Sequence, residues 1–179
     1  METPASKNKI IKVVVMFSII AIVIYLSFKL RNDERDDILE NNIVVTGTVS
    51  NVGWKTIDVS YEVNGKVYVY TENIPFKSVV VGEQFYTLVN CEKLERALVY
   101  DNKPILDTLK YAFSIVTPNN VSEPITDNDY LDYDYTVNGR KYSRIQKYYG
   151  DVPIPQNLDK LKVKYRIDRP EIGYLIEIK

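Results

Sequence analysis

Hydrophobic positions change their spacing twice along this chain. Residues 10–30 read IIKVVVMFSIIAIVIYLSFKL, in which seventeen of twenty-one positions are apolar and only Lys12, Ser18, Ser27 and Lys29 are not. At ~1.5 Å per residue such a helix spans ~31 Å, the hydrocarbon thickness of a bilayer, and lysines near its ends can snorkel to the headgroups. The uncharged stretch 13–28 exceeds the apolar region of a secretory signal, and neither a small-residue cleavage pattern nor a lipidation cysteine follows it. The pattern predicts an uncleaved, single-pass signal anchor. Residues 31–42, RNDERDDILENN, are almost wholly charged or amide and fit either a helical stalk or a solvated linker. From residue 43 onward, period-two alternation, β-branched residues and tyrosines between Pro and Asn punctuation predict short strands.

Two stretches of the strand-rich region repeat. At an offset of 74, Tyr61, Val63, Asn64, Gly65, Lys66 and Tyr68 match Tyr135, Val137, Asn138, Gly139, Arg140 and Tyr142. Asn-Gly supplies the two positive-φ residues of a type I′ turn, so each copy predicts a two-residue hairpin. That register sets Tyr61 opposite Tyr68 and Tyr135 opposite Tyr142. Alternation turns Val59, Tyr61 and Val63 inward in the first copy and Tyr133, Tyr135 and Val137 inward in the second. Asp58, Ser60, Glu62, Asp132, Asp134 and Thr136 face out. Further on, Phe85, Thr87 and Val89 match Leu161, Val163 and Tyr165 at an offset of 76, and ALVYD corresponds to GYLIE. Each unit is therefore a strand, a hairpin, a Pro-containing connection and two closing strands, with Pro75, Pro153 and Pro155 excluding central strands from the connections. The apolar segment 109–116 supplies the first strand of the second unit.

Composition sharpens this picture by exclusion. The 179 residues include no His and one Cys, which removes Ser-His-Asp and Cys-His nucleophilic sites, His-ligated metals, internal disulfides and Cys-rich zinc sites. The net charge of −1 conceals a basic anchor, because residues 31–179 hold 19 of the 23 basic and 23 of the 24 acidic residues, a net −4. This charge argues against nucleic acid as a partner. The Lys/Arg count is equal on the two sides of the span; the short basic tail favours an amino terminus inside and an extracytoplasmic β region.

Candidate sites are few. Asp127, Asp129, Asp132 and Asp134 form the densest carboxylate run, but Leu131 and the missing loop glycine break the EF-hand pattern, leaving a solvated strand edge. Tyr148 and Tyr149, in a connection longer than its counterpart, form a candidate interaction surface. Cys91 is expected to be buried and inert, and Trp54 to be either a packed hairpin residue or an interfacial anchor. No catalytic, cofactor or metal set emerges.

The run Tyr61-Glu62-Val63-Asn64-Gly65-Lys66-Val67-Tyr68, followed by Val81-Gly82-Glu83 and a hydrophobic strand, resembles a small, membrane-associated bacterial β-domain family of unknown function. The second copy is similar, with its hairpin at residues 135–142 and a Tyr165-to-Pro170 ending. The first copy has Asn90-Cys91-Glu92-Lys93-Leu94 where that ending is expected. The resemblance implies membrane association and no activity, so no site residue is carried over.

Taken together, these readings predict a mainly β chain. A basic tail (residues 1–9), a transmembrane helix (10–30) and a charged stalk (31–42) precede two tandem antiparallel β units (43–106 and 107–179). The expected role is a non-enzymatic binding or structural module of the bacterial envelope, with the lipid bilayer as partner through the helix and a protein partner left unidentified. The alternative is a membrane-anchored immunity protein that neutralises a toxin.

Overall fold

The computed structural model describes residues 4–74, 78–122, 130–147 and 158–178, with side chains from residue 13 onward. One helix, α1 (Pro4–Glu40), precedes eleven strands among these residues. Its 37 residues give a rod of ~55 Å. Along residues 13–30 every side chain is exposed although the segment is apolar, with mean hydropathy 2.5, and the helix is long and apolar enough to cross a membrane. The charged segment is thus helical rather than a loose linker, and its end is seated on the β region. Ile38 is 3% exposed, and the Cys91 N–H donates to the Asn41 carbonyl at 3.0 Å. Two partly exposed ion pairs, Arg96–Glu34 at 3.4 Å and Lys93–Asp37 at 3.9 Å, add little energy but favour this seating.

The first unit comprises β1 (Asn42–Val52), β2 (Thr56–Val63), β3 (Lys66–Asn73), β4 (Gln84–Asn90) and β5 (Ala97–Pro104) in the order β3-β2-β1-β4-β5. The β1–β3 meander with β4 returning beside β1 is a Greek key. β3 and β5 also approach each other, which curls the sheet into a partly open five-stranded barrel, the architecture class that includes OB folds. One strand serves both halves, since β1 pairs with β4 through residues 42–48 and with β2 through residues 48–52. At the crossing stands Gly47, where a Cβ would run into the Thr87 and Val59 side chains.

The second unit has the same order with its first strand broken. It consists of β6 (Phe113–Val116), β7 (Asn120–Ser122), β8 (Tyr130–Val137), β9 (Arg140–Lys147), β10 (Leu161–Arg166) and β11 (Gly173–Glu177). β6 pairs with β10 as the start of β1 pairs with β4, and β7 pairs with β8 as the end of β1 pairs with β2. Counted from the β6–β10 register, Pro118 falls at the position of Gly47. Proline lacks the N–H that a continuous strand needs, so one bent strand becomes two short ones.

The repeat extends to individual hydrogen bonds. Both hairpins have the expected register and left-handed Asn-Gly turns, with φ of 52° and 77° at Asn64 and Gly65 and 50° and 79° at Asn138 and Gly139. The cross-strand rings stack, Tyr61 on Tyr68 at 6.0 Å and Tyr135 on Tyr142 at 5.4 Å between centroids. The Tyr61 hydroxyl donates to the Leu94 carbonyl and the Tyr135 hydroxyl to the Pro170 carbonyl, positions 76 residues apart. Burial, with a smaller contribution from Glu95, pushes the Tyr61 phenol up to about 12. At each barrel seam a side chain stands in for a missing strand pairing. Gln146 Oε1 accepts the Leu175 N–H at 2.8 Å, and the matching Glu72 carboxylate accepts the N–H of the matching Val99. The expected inward sets are buried: Val59, Tyr61 and Val63 in the two apolar clusters of the first unit, Tyr133, Tyr135 and Val137 in the single cluster of the second. The two units have separate apolar clusters. β5 ends at Pro104 and β6 starts at Phe113, on either side of the boundary expected near Asp107.

Two predictions follow from the seam and the bent strand. Gly47→Ala forces a methyl group between Thr87 and Val59 and lowers stability by ~1–3 kcal/mol in urea unfolding of the full chain in detergent. At Glu72, burial first and Asp101 second raise the carboxyl above its ordinary range, against two backbone hydrogen bonds that lower it. A raised folded-state value means that the protonated form stabilises the barrel and that this stability is lost as pH rises through the raised value. Glu72→Gln, which installs the residue of the second copy, therefore raises the urea midpoint at pH 7, and the gain shrinks below the ordinary carboxylate range.

Candidate functional site

The geometry concentrates at two junctions on equivalent faces of the two barrels. At the junction between units, the turn before β4 lifts Gly82 to a φ of 90° and turns Glu83 into the second barrel. The Glu83 side chain is 0% exposed, and Arg144 on β9, at 5%, contacts it through Nη1 at 2.6 Å. Tyr174 on β11 donates its hydroxyl to the other carboxylate oxygen at 2.7 Å, and the Val80 N–H donates to Oε1 at 2.9 Å. Arg144 also donates to the Glu171 carbonyl at 2.6 Å and lies over the Tyr174 ring, while its Nε has no hydrogen-bond partner among the described residues. Burial disfavours the Arg144 charge, yet the Glu83 carboxylate together with the Tyr133 and Tyr174 phenols outweighs it and the guanidinium is held more firmly protonated than usual. Burial and then Glu83 raise the Tyr174 phenol well above its ordinary value. Around this pair Arg169 donates to the Val81 carbonyl at 2.7 Å, and Ser78 donates to the Ile145 carbonyl. A cleft of about 30 Å³ remains beside Asp101, Tyr130 and Lys147, room for about one water.

The second junction lies between α1 and the first barrel. Arg31, Glu34, Arg35 and Ile38, at helical i, i+3, i+4 and i+7 spacing, share one face. They line a cleft of about 330 Å³ whose other wall is the β3/β5 seam with Tyr70, Glu72 and Leu98. Burial, Glu72 and Glu34 raise the Tyr70 phenol and Arg31 lowers it, so both carboxylates and the guanidinium act on that hydroxyl. Position 70 corresponds to 144, and 72 to 146. The seam face that receives α1 in the first unit receives the first unit's connection in the second.

The residues singled out in the sequence are distributed differently from expectation. Tyr148 and Tyr149 lie outside the described residues, as do Asp127, Asp129, Pro75, Pro153 and Pro155. Asp132 is exposed on the outer face of β8, and Asp134 pairs with Lys141 at 2.7 Å and accepts from Ser143, contacts that lower its carboxyl. No cluster of potential metal ligands occurs among the described residues. Cys91 is exposed rather than buried, because it follows β4 at the turn beside the helix junction. Trp54 is 80% exposed in the β1–β2 turn, at the end of β1 remote from the helix. Neither Glu83 nor Arg144 was singled out by sequence reasoning as a partner of the other. The available signal was a charged residue at an inward position of a hairpin strand whose counterpart in the first copy is Tyr70.

Comparison of the chain with protein-family models, with curated proteins and with solved structures found no match. The two junctions therefore have to be interpreted by their chemistry. Arg144→Met leaves Glu83 buried without its cation and costs ~3–5 kcal/mol in equilibrium unfolding, whereas Glu83→Gln combined with Arg144→Met recovers most of that loss. Additive losses in this double-mutant cycle would show that the pair does not couple the units.

Proposed function

We propose that this chain is a single-pass, membrane-anchored, non-enzymatic β-repeat protein that acts as a binding or structural module of the bacterial envelope, with its β region extracytoplasmic. One observation carries the reading. An apolar helix segment whose side chains are all exposed continues without a break into a segment seated on the first barrel. An apolar surface of that length needs an apolar medium. The seating fixes the barrels at a set distance from that medium, which suits presentation of a rigid surface better than flexible capture. The outward faces of β2 and β8, with Glu62, Asp132 and Thr136 exposed, are polar, as expected of surfaces held in water.

The exposed Cys91 makes the topology directly measurable. A membrane-impermeant maleimide added to cells with opened outer layers but an intact inner membrane is expected to label the native chain and not Cys91→Ser. The chain is expected to remain in the membrane pellet after carbonate washing. Labelling only after the inner membrane is lysed would reverse the orientation, and release by carbonate would remove the anchor.

A further inference from the structure

The cleft beside α1 has the charge and the position of a lipid-headgroup site, an inference that rests on residues 10–30 spanning the bilayer. If that segment fills the hydrocarbon layer, Arg31 stands at its edge and Arg35, four residues later, ~6 Å farther out. The headgroup layer on each side is ~5–8 Å deep, so both guanidiniums fall within it. Neither has an ion-pair partner among the described residues, whereas Glu34 on the same face is engaged by Arg96 at 3.4 Å. On the opposite wall the part-buried Glu72 carboxylate accepts backbone N–H groups of Asn73 and Val99 and likewise has no cation partner among the described residues. Tyr70 lines the same cleft, and Glu72, Glu34 and Arg31 all act on its hydroxyl.

Two unpaired cations facing an unpaired carboxylate across one cleft complement a zwitterion. We propose that this cleft binds the headgroup of an ethanolamine-type aminophospholipid, with the phosphodiester on Arg31 and Arg35 and the primary ammonium at Glu72 beside the Tyr70 ring. An anionic glycerol headgroup brings hydroxyls but no cation to the Glu72 carboxylate, and a choline headgroup has no N–H to donate to it. The equivalent face of the second barrel is already filled by the connection carrying Glu83, which leaves the first barrel as the one with room for a ligand.

The test uses the full chain, extracted from membranes and reconstituted into nanodiscs containing equal amounts of phosphatidylethanolamine, phosphatidylglycerol and phosphatidylcholine. Lipids retained after mild re-extraction are then quantified by mass spectrometry. The native chain is expected to retain phosphatidylethanolamine preferentially. The double variant Arg31→Ala and Arg35→Ala should retain about tenfold less or lower still, and Arg31→Lys with Arg35→Lys should recover part of the loss. Glu72→Gln should keep bound phospholipid but lose the preference for ethanolamine over choline. Equal retention of the three lipids by the native chain, or unchanged retention by the double alanine variant, would overturn the proposal. Displacement of the lipid by equimolar soluble O-phosphoethanolamine would overturn the lipid source and assign the cleft to a free metabolite. The carbonate wash reads the anchor separately: a chain that stays in the membrane but shows no lipid preference defeats the headgroup site alone.

Discussion

Glu83 belongs to the first barrel by sequence and to the second by its contacts, and the arrangement of the two barrels depends on that placement. A carboxylate with 0% exposure is stable only when each oxygen is engaged, and here the partners come from its own turn, from β9 and from β11. The two apolar cores do not merge. Their union is therefore directional rather than greasy: a sliding or rotated docking would leave Glu83 and Arg144 buried and apart, a far larger penalty than losing a few apolar contacts. Gly82 is part of the same device. Its φ of 90° makes the turn that delivers Glu83, and Arg169 packs where a Cβ would stand.

Duplication explains how such a device arises within one chain. The copies agree wherever a barrel must close on itself. Tyrosine hydroxyls donate to the turn after the fourth strand, and an acidic or amide side chain accepts across the seam in place of a strand pairing. They differ on the face that the seam presents outward. Tyr70 faces α1, and its counterpart Arg144 faces the preceding unit. One barrel surface thus serves as a receptor for whatever precedes it in the chain, a helix for the first copy and a loop for the second. The exchange of Glu72 for Gln146 follows the same division, since the amide suits the enclosed face and the carboxylate remains where the cleft is open.

Much of this was legible in period-two alternation and turn chemistry. Asn-Gly at 64–65 and 138–139 determined both hairpins and their register, and through them the tyrosine stacks and the inward residues. The apolar run marked the helix, but its continuation to Glu40 was only one of two readings of the charged segment. A segment polar except for Ile38 and Leu39 has too little periodicity to separate helix from linker until the partner of its single buried residue, Ile38, is known. The split of the first strand at Pro118 was hidden because pairing β1 to two neighbours is a long-range property. Cys91 proved exposed for a local reason, its position at a turn, which overrides the burial usual for that residue type. The Glu83–Arg144 pair was hidden because each residue read alone is an ordinary surface charge, and only the contact between copies removes both from water.

These couplings form one chain of constraint from the apolar helix to the distal barrel. Helix α1 runs unbroken to Glu40, Ile38 and the Cys91–Asn41 backbone bond seat it on the first barrel, and the buried ion pair seats that barrel on the second. Each step is held by a buried group whose displacement is costly, so rotation at any junction requires breaking a contact rather than bending a loop. A tether of twelve solvated residues would allow the β region to sample a large volume about the end of the apolar segment. The helical joint instead presents one surface at one height. In the membrane placement we propose, that geometry favours recognition of something that also lies at a fixed height, in the headgroup layer beside Arg31 and Arg35.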